Sequence, residues 1–440
     1  MRIRTLICGA AAASLLAGSA LAAEFPDTEG HWAGASIGRW SAAGVIDGYA
    51  DGRFGPDDPI TRGQMAAILD RLLGWTEQAE NRFQDMTGGE WYAGAILRAN
   101  AAGVLGGSAG FARPEDPITR QEAVVMLERA LALEYGGGGR TFGDEAQIGS
   151  WAREAVDILS GLGLVTGADN GNFEPLRSIT RAETMAVLDR AVGGYYDQAG
   201  VYTQGSSGVA ALVTAPGVTL QNLTIEGDLL IAPGAEGSET ILRDVTVTGT
   251  VRVLSGREAQ ILILGSSTLG ALEVAGTDSR LRLEDTVEVG SLVVSGSGTH
   301  IRGLDEAQQV TVTEDAGNVR VNGRPVSGGS TVTAGTDVST DLDDMDVEID
   351  VGGGDVTTQP GDIEIDIDLD DGDRPSSGSG GSTRPSQPDT PDDTEEPSQP
   401  DTPDDTEEPS QPGNSTSGGS YRDEDGNIII DFDDLLNGGR

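Results

Sequence analysis

Residues 58–72 read DPITRGQMAAILDRL, and the stretch returns as DPITRQEAVVMLERA at residues 116–130 and as RSITRAETMAVLDRA at residues 177–191. In each copy the apolar residues recur at helical spacing: Met65, Ile68, Leu69 and Leu72; Val124, Leu127 and Leu131; Met185, Val187, Leu188 and Val192. This predicts three helices that each bury one face. Thr61 with Gln64, Thr119 with Glu122 and Thr180 with Glu183 have capping-box spacing, in which the hydroxyl takes an orphan amide of the first turn and the N3 side chain reaches back. Each cap contributes about 1 kcal/mol.

The copies belong to longer units. Phe25-Pro-Asp27, Phe83-Gln-Asp85 and Phe142-Gly-Asp144 open them, and Trp32, Trp91 and Trp151 follow. A small-residue helix then runs to Gly44, Gly103 or Gly163, and a loop carrying Phe54, Phe111 or Phe173 leads into the repeated stretch. The unit reads as helix, loop, helix. The tryptophans are expected in the core of such small units.

Capping explains the Thr and the Gln or Glu, but not Arg62, Arg120 and Arg181. These occupy the first helical position, where the macrodipole disfavours a cation by roughly 0.3–1 kcal/mol. Two readings account for them. Guanidinium and free amides converge on an anion, a carboxylate or phosphate, or each arginine pairs with a nearby Asp or Glu.

The concurrence of F-x-D, Trp, a Gly-Val or Gly-Leu pair, F-x-P and I-T-R-x-E/Q, three times over residues 25 to 194, resembles the S-layer homology (SLH) family of cell-wall-anchoring modules. The resemblance implies an all-α pseudo-trimer of three modules, with grooves between them that bind a secondary cell wall polymer or another acidic glycan linked to peptidoglycan. It places the polymer-binding arginine at Arg62, Arg120 and Arg181. The copies depart from the family pattern unequally: the first has Thr-Arg-Gly-Gln, the second has Gly106-Gly107 where the first has Asp47-Gly48 and spaces Phe111 and Pro114 one residue further apart, and only the third has TRAE. The grooves therefore need not be equivalent, and the third copy is the first choice.

Composition sets the wider frame. The 440 residues carry a formal charge of −44, 4% are aromatic and 65 are Gly, which argues for several modules over one large core. Such acidity disfavours nucleic acid and anionic membranes as partners. Residues 1–22, with two arginines, an apolar run and Ala20-Leu21-Ala22, read as a secretory signal peptide, and the only cysteine, Cys8, lies inside it. No transmembrane segment is expected further on.

From Gly200 the texture changes to Gly, Thr and Val with alternating apolar triplets, and sets begin at Val218, Ile241, Ile261, Leu281, Ile301 and Val319. Coils of this length predict a small right-handed parallel β-helix over residues 198–330, and residues 218–326 lack the Phe, Tyr and Trp that a β-sandwich core usually holds. The segment resembles β-helix modules of bacterial surface proteins. Asp244, Glu273, Glu284 and Asp285 are the carboxylates available to a glycosidase or lyase, but they read as outward polar positions, and no nucleophile or metal motif accompanies them. A non-catalytic display element is expected.

Residues 337–440 hold 31 acids against four arginines and repeat PSQPDTPDDTEE twice, a composition expected to stay disordered. Asp423, Asp425 and Asn427 match positions 1, 3 and 5 of an EF-hand loop, while Ile428 and Asp434 stand where Gly and Glu belong. These are weak calcium candidates, and no other cofactor is expected. The expected layout is a signal peptide at 1–22, modules at 25–75, 83–133 and 142–194, a β-helix at 198–330, an acidic stalk at 337–420 and an acidic C-terminal segment at 421–440. The expected protein is a secreted wall or S-layer component with a polymer partner and, as an open alternative, self-assembly into a lattice. The rival readings are a wall-anchored carbohydrate-active enzyme and a calcium-responsive adhesin.

Overall fold

The computed structural model describes residues 25–256, 259–336, 421–422 and 428–429. The signal-peptide reading, the stalk and the three calcium candidates lie outside these. The four described residues of the C-terminal segment form a short antiparallel pairing, Tyr421–Arg422 with Ile428–Ile429.

Six helices occupy the N-terminal region among the described residues: α1 (Gly34–Ala42), α2 (Arg62–Leu73), α3 (Ala93–Ala101), α4 (Arg120–Ala130), α5 (Arg153–Gly161) and α6 (Arg181–Ala191). The three repeated stretches give α2, α4 and α6, each closed at its start by a complete capping box. The sequence repeat is not the packing unit. The second helix of each repeat lies on the first helix of the next, α2 on α3 and α4 on α5, and α6 returns to α1. The isoleucines before the caps make the closure explicit. Ile118 donates its N–H to the Ile60 carbonyl at 2.9 Å, Ile179 to Ile118 at 3.1 Å, and Ile60 to Ile179 at 3.1 Å. Isolated β-bridges accompany this ring, Pro59 with Thr180, Thr61 with Pro117 and Thr119 with Ser178, so the region is helical around a small extended hub and not helical throughout.

Ion pairs mark two of the three helix contacts. Arg98 on α3 forks onto Asp70 on α2 at 2.7 and 2.6 Å, and Arg39 on α1 reaches Asp189 on α6 at 2.7 Å. At the corresponding α4–α5 positions the chain has Glu128 and Ile158. Burial, opposed by Arg129 and reinforced by Glu154, raises the Glu128 pKa.

The sequence also misplaced one loop position. Asp27 accepts from the amides of Phe54 and Gly55, Asp144 from those of Phe173 and Glu174, and Asp85 from those of Ala112 and Arg113. Ala112, fully buried, is thus the counterpart of Phe54 and Phe173, and Phe111 lies one residue early and exposed. The extra residue between Phe111 and Pro114 is absorbed by shifting the aromatic ring out of the core.

Helix α6 passes directly into β1 (Val192–Tyr196), so the β region begins six residues before the expected start at 198. It is a parallel β-solenoid with three faces. The first face stacks β1, the end of β3 (Ser206–Val213), the ends of β4 (Val218–Ile231) and β5 (Glu239–Val253), then β7 (Thr268–Val274), β10 (Leu292–Val294) and β12 (Gln309–Val312). The second stacks β2 (Gly200–Tyr202), the starts of β4 and β5, β6 (Gln260–Leu264), β8 (Arg280–Leu283), β11 (His300–Arg302) and β13 (Val319–Val321). The third, shorter face ends on β9 (Glu288–Val289).

Period-2 alternation turns one aliphatic row inward, and Val213, Ile231, Val253, Val274, Val294 and Val312 stack in register, all buried. Asn222, Asp244 and Gly265 turn one corner with φ of 52°, 55° and 66°, the left-handed region these residue types tolerate. At the far end the chain reverses. β14 (Arg324–Val326) and β15 (Ser330–Thr333) pair antiparallel with β13 and β12. Asn322, fully buried, closes this end by accepting from the Leu304 amide and donating to the Leu304 and Gly335 carbonyls.

Modules and solenoid share a core, since Ala210, Leu212, Leu230 and Ala232 join the helical cluster. Arg252 ties them electrostatically. Its side chain, 5% exposed, contacts Asp228, Glu273 and, from the loop after α4, Glu134.

Two predictions follow from these contacts. Because the folded pKa of Glu128 is raised, its contribution to stability is present below the unfolded pKa and is lost as pH rises through the folded value. Ile158→Arg, which supplies the missing partner, should therefore raise stability at pH 7 by roughly 1 kcal/mol, and Glu128→Gln should remove the loss that sets in as pH rises above about 4.5; urea titrations at several pH values check both. Arg252→Met should destabilise the protein near the lower end of the ~3–5 kcal/mol typical of a broken buried pair, because Glu134 and Glu273 keep access to water. Glu134→Gln should cost only about 0–1 kcal/mol, read from thermal unfolding of both variants.

Candidate functional site

The hub creates three grooves, each between the helix start of one repeat and the F-x-D and loop segments of the next. Backbone bonds repeat around the ring: Arg62 N–H to Asp116 O, Arg120 N–H to Arg177 O and Arg181 N–H to Asp58 O, at 2.8–3.0 Å. The helix-start amides at Gly63, Gln121 and Ala182 donate to the carbonyls of Pro114, Pro175 and Pro56. At Gly63 a Cβ would lie 3.1 Å from the Tyr92 side chain and 3.0 Å from the Pro114 carbonyl oxygen, a tight fit, whereas Gln121 and Ala182 carry side chains at the equivalent positions.

Each predicted arginine reaches across its groove. Arg62 donates to the Ala112 and Gly106 carbonyls at 2.9 Å, Arg120 to the Phe173 carbonyl at 2.9 Å, and Arg181 to the Phe54 and Asp47 carbonyls at 2.8 and 2.7 Å. Arg62 and Arg181 are 6% and 3% exposed. Burial lowers the pKa of all three, with partial compensation from neighbouring acids. The structure thus gives these residues a latching role that neither sequence reading included, because the acceptors are backbone carbonyls 44 residues or more away and no side-chain motif announces them.

Beyond the shared latch the grooves differ. In the first, Arg62 pairs with Glu122 at 3.2 Å and Arg113 joins it at 2.8 Å. In the second, Arg120 pairs with Glu183 at 3.2 Å and Arg177 with the same oxygen at 2.6 Å. Glu122 and Glu183 are the capping-box acids of their own helices. Burial raises their pKa, but the cap amides and the arginines outweigh it and hold both below the usual range.

In the third groove the capping-box residue is Gln64, and no ion pair of Arg181 is found among the described residues. Its guanidinium instead lies over the rings of Phe54 at 4.4 Å and Tyr49 at 4.8 Å. Burial raises the Tyr49 pKa, opposed by Arg181 and reinforced by Asp58.

The tryptophans correct the expectation of core positions. Trp32 and Trp91 are 63% and 66% exposed, and Trp151 is half-buried. Trp32 stacks against His31, which reaches Asp57 beside the third groove, and Trp91 adjoins Tyr92 at the first. Glu90, pulled down to about 2 by the Thr87 amide and hydroxyl with help from the Gly88 amide, clamps the turn before Trp91. Trp40 on α1 takes the fully buried position instead, and Trp151 packs partly against the helical core, so Trp32 and Trp91 are the rings left open to solvent.

On the solenoid, Glu273 is held by Arg252, Asp244 accepts from the Ser266 amide and Glu284 accepts from the Gly265 amide. Asp285 is exposed on the turn after β8. No cluster of three metal-ligating side chains occurs among the described residues, and no described helix is long and apolar enough to cross a membrane.

Comparison with known proteins matches the three repeats to the S-layer homology domain at residues 24–66, 82–124 and 141–185. The chain is 34% identical over 170 residues to an amylopullulanase of Thermoanaerobacterium thermosulfurigenes, covering 37% of this chain and 9% of that protein. It is 31% identical over 271 residues to the S-layer protein EA1 of Bacillus anthracis, covering 56% of this chain and 30% of the relative. A cellulosome-anchoring protein of Acetivibrio thermocellus is 30% identical over 167 residues, covering 36% of this chain and 37% of its own length. The chain therefore spans well under half of each of these relatives. The ring of latched repeats is accordingly a set of three S-layer homology domains at residues 24–185, followed by a β-solenoid.

Proposed function

We propose that the protein is an extracellular component of a bacterial cell wall or S-layer, held non-covalently to an acidic secondary wall polymer through the grooves at Arg62, Arg120 and Arg181. The third groove is the principal site. The observation that carries this choice is the substitution of Gln64 for the glutamate that neutralises the arginine in the other two. A carboxylate of the polymer would complete the electrostatic pattern that Glu122 and Glu183 supply elsewhere, with Trp32 at the rim offering a face to a sugar ring. The S-layer and anchoring names of the relatives, and an amylopullulanase sharing a segment of this length, fit a tethering role for these domains.

The solenoid serves in this reading as a non-catalytic display element, supported by the structural bonds that occupy Glu273, Asp244 and Glu284. Residues 1–22 act in this reading as the export signal.

Replacing Arg181 would break the latch and the site together, so the discriminating variant is Gln64→Glu. It keeps the capping box and places a carboxylate against Arg181. Sedimentation of the full chain with purified sacculi should show binding weakened about tenfold or more, the loss of a charge-assisted bond of ~1.5–3 kcal/mol, with an unchanged or higher Tm. Undiminished binding by Gln64→Glu, or equal binding of the parent chain to sacculi stripped of their secondary polymer, would overturn the proposal.

A further inference from the structure

The second solenoid face is charged differently from the rest of the molecule. Its strands β6, β8, β11 and β13 carry Arg280, Arg282, His300, Arg302 and Arg320 and no acid. Arg280, His300 and Arg320 are direct neighbours in successive rungs, and Arg282 pairs in register with Arg302. Leu281, Ile301 and Val321 between them are buried, so the basic residues alternate to the outside, one rung apart at about 4.8 Å. Like charges directly opposite on neighbouring strands are destabilising. Arg280, Arg282 and Arg320 are exposed and form no ion pair among the described residues, Arg320 bonding only to the Gly323 carbonyl at 3.4 Å.

The acids nearest this face sit at its margins. Glu239 is in register with Gln260, one rung before Arg280. Asp244 and Glu284 are engaged at the neighbouring corner by the Ser266 and Gly265 amides, and Asp278 lies in the turn ahead of β8. The column of cations is therefore left for an anion from outside the face to neutralise.

Spacing and polarity specify that anion. An extended acidic peptide sets its same-side charges at every second residue, about 6.5–7 Å apart, wider than one rung. A linear polyuronate carries one carboxylate on each ring, and its ring-to-ring advance is close to one rung, so it matches the column when laid along the stack. The outward column of Arg282 also continues down the stack as Leu262 and Ile241, both half-buried. These two side chains offer apolar support to the C–H face of a sugar ring beside the cations, a contact for which a polyphosphate has no counterpart.

We propose that the second solenoid face is a binding surface for a linear anionic polysaccharide with one carboxylate per sugar, lying along the stack over Arg280, Arg282 and Arg320 and reaching Leu262. The site is separate from the helix-start grooves and does not rest on their reading. Its contacts are exposed, so binding falls as salt screens them.

The test is retention of the full chain on immobilised polygalacturonate, with the methyl ester as the uncharged form of the same backbone. A chain of net charge −44 is repelled by a polyanion as a whole, so retention reports a local basic site. The parent chain should be retained at low ionic strength, released in about 1 M NaCl, where the Debye length falls to roughly 3 Å, and not held by the ester. The variant Arg280→Gln, Arg282→Gln, Arg320→Gln should bind about tenfold or more weakly, since three exposed charge contacts are lost. Gln260→Arg extends the column by one rung and should bind about threefold more tightly; this gain leaves the existing face intact, so it is decisive even if the triple variant misfolds. No retention of the parent, equal retention on the ester, or a Gln260→Arg variant that binds no better would overturn the proposal. So would tighter binding of polyglutamate at equal charge, which would assign the face to an acidic polypeptide, or loss of binding in Gln64→Glu with full binding by the triple variant, which would assign the polymer to the third groove.

Discussion

Three backbone hydrogen bonds among Ile60, Ile118 and Ile179 hold the anchoring region in its arrangement. Because each isoleucine donates to one neighbour and accepts from the other, no repeat can satisfy its own hub segment, and the three must close together. Unpaired buried amides are costly, so closure is enforced by the same rule that builds sheets. Everything nearby is fixed by it: the start of each second helix, its packing on the next repeat's first helix, and the reach of each arginine into the neighbouring loop.

The arginines then serve two ends with one geometry. Their guanidinium groups satisfy backbone carbonyls of the following repeat, which lowers the cost of burying both. In two grooves a capping-box glutamate completes the neutralisation, so helix capping, inter-repeat locking and charge balance converge on Glu122 and Glu183. The third groove keeps the latch and drops the acid. The capping-box position is Gln64 in the third groove and glutamate in the other two, one of several differences between the copies. The repeats also differ at a helix contact, where Glu128 and Ile158 stand in place of the Asp–Arg pairs of the other two.

The solenoid is built on a different economy. It has almost no aromatic content and gains stability from registered aliphatic rows, corner residues that accept a left-handed backbone, and antiparallel strands that cover its last rung. Its outward positions are therefore free to vary in charge from rung to rung, and the second face has accumulated cations while the body as a whole is acidic. The link to the helical region is rigidly made, through a shared core and through Arg252 between three carboxylates.

The sequence by itself determined the elements whose cause is local. Capping boxes at Thr61, Thr119 and Thr180, the helical periodicity after them, the period-2 triplets from Val218 and the threefold repeat are all written in neighbouring residues. Tertiary structure alone decided what depends on distant partners. It set the swap of helices between repeats, the solenoid's start at Val192, the replacement of Phe54 and Phe173 by Ala112, the exposure of Trp32 and Trp91, and the carbonyl acceptors of the arginines. The physical reason is common to these cases: backbone acceptors carry no residue signature, and whether a ring is buried depends on which surface the ring of repeats leaves uncovered.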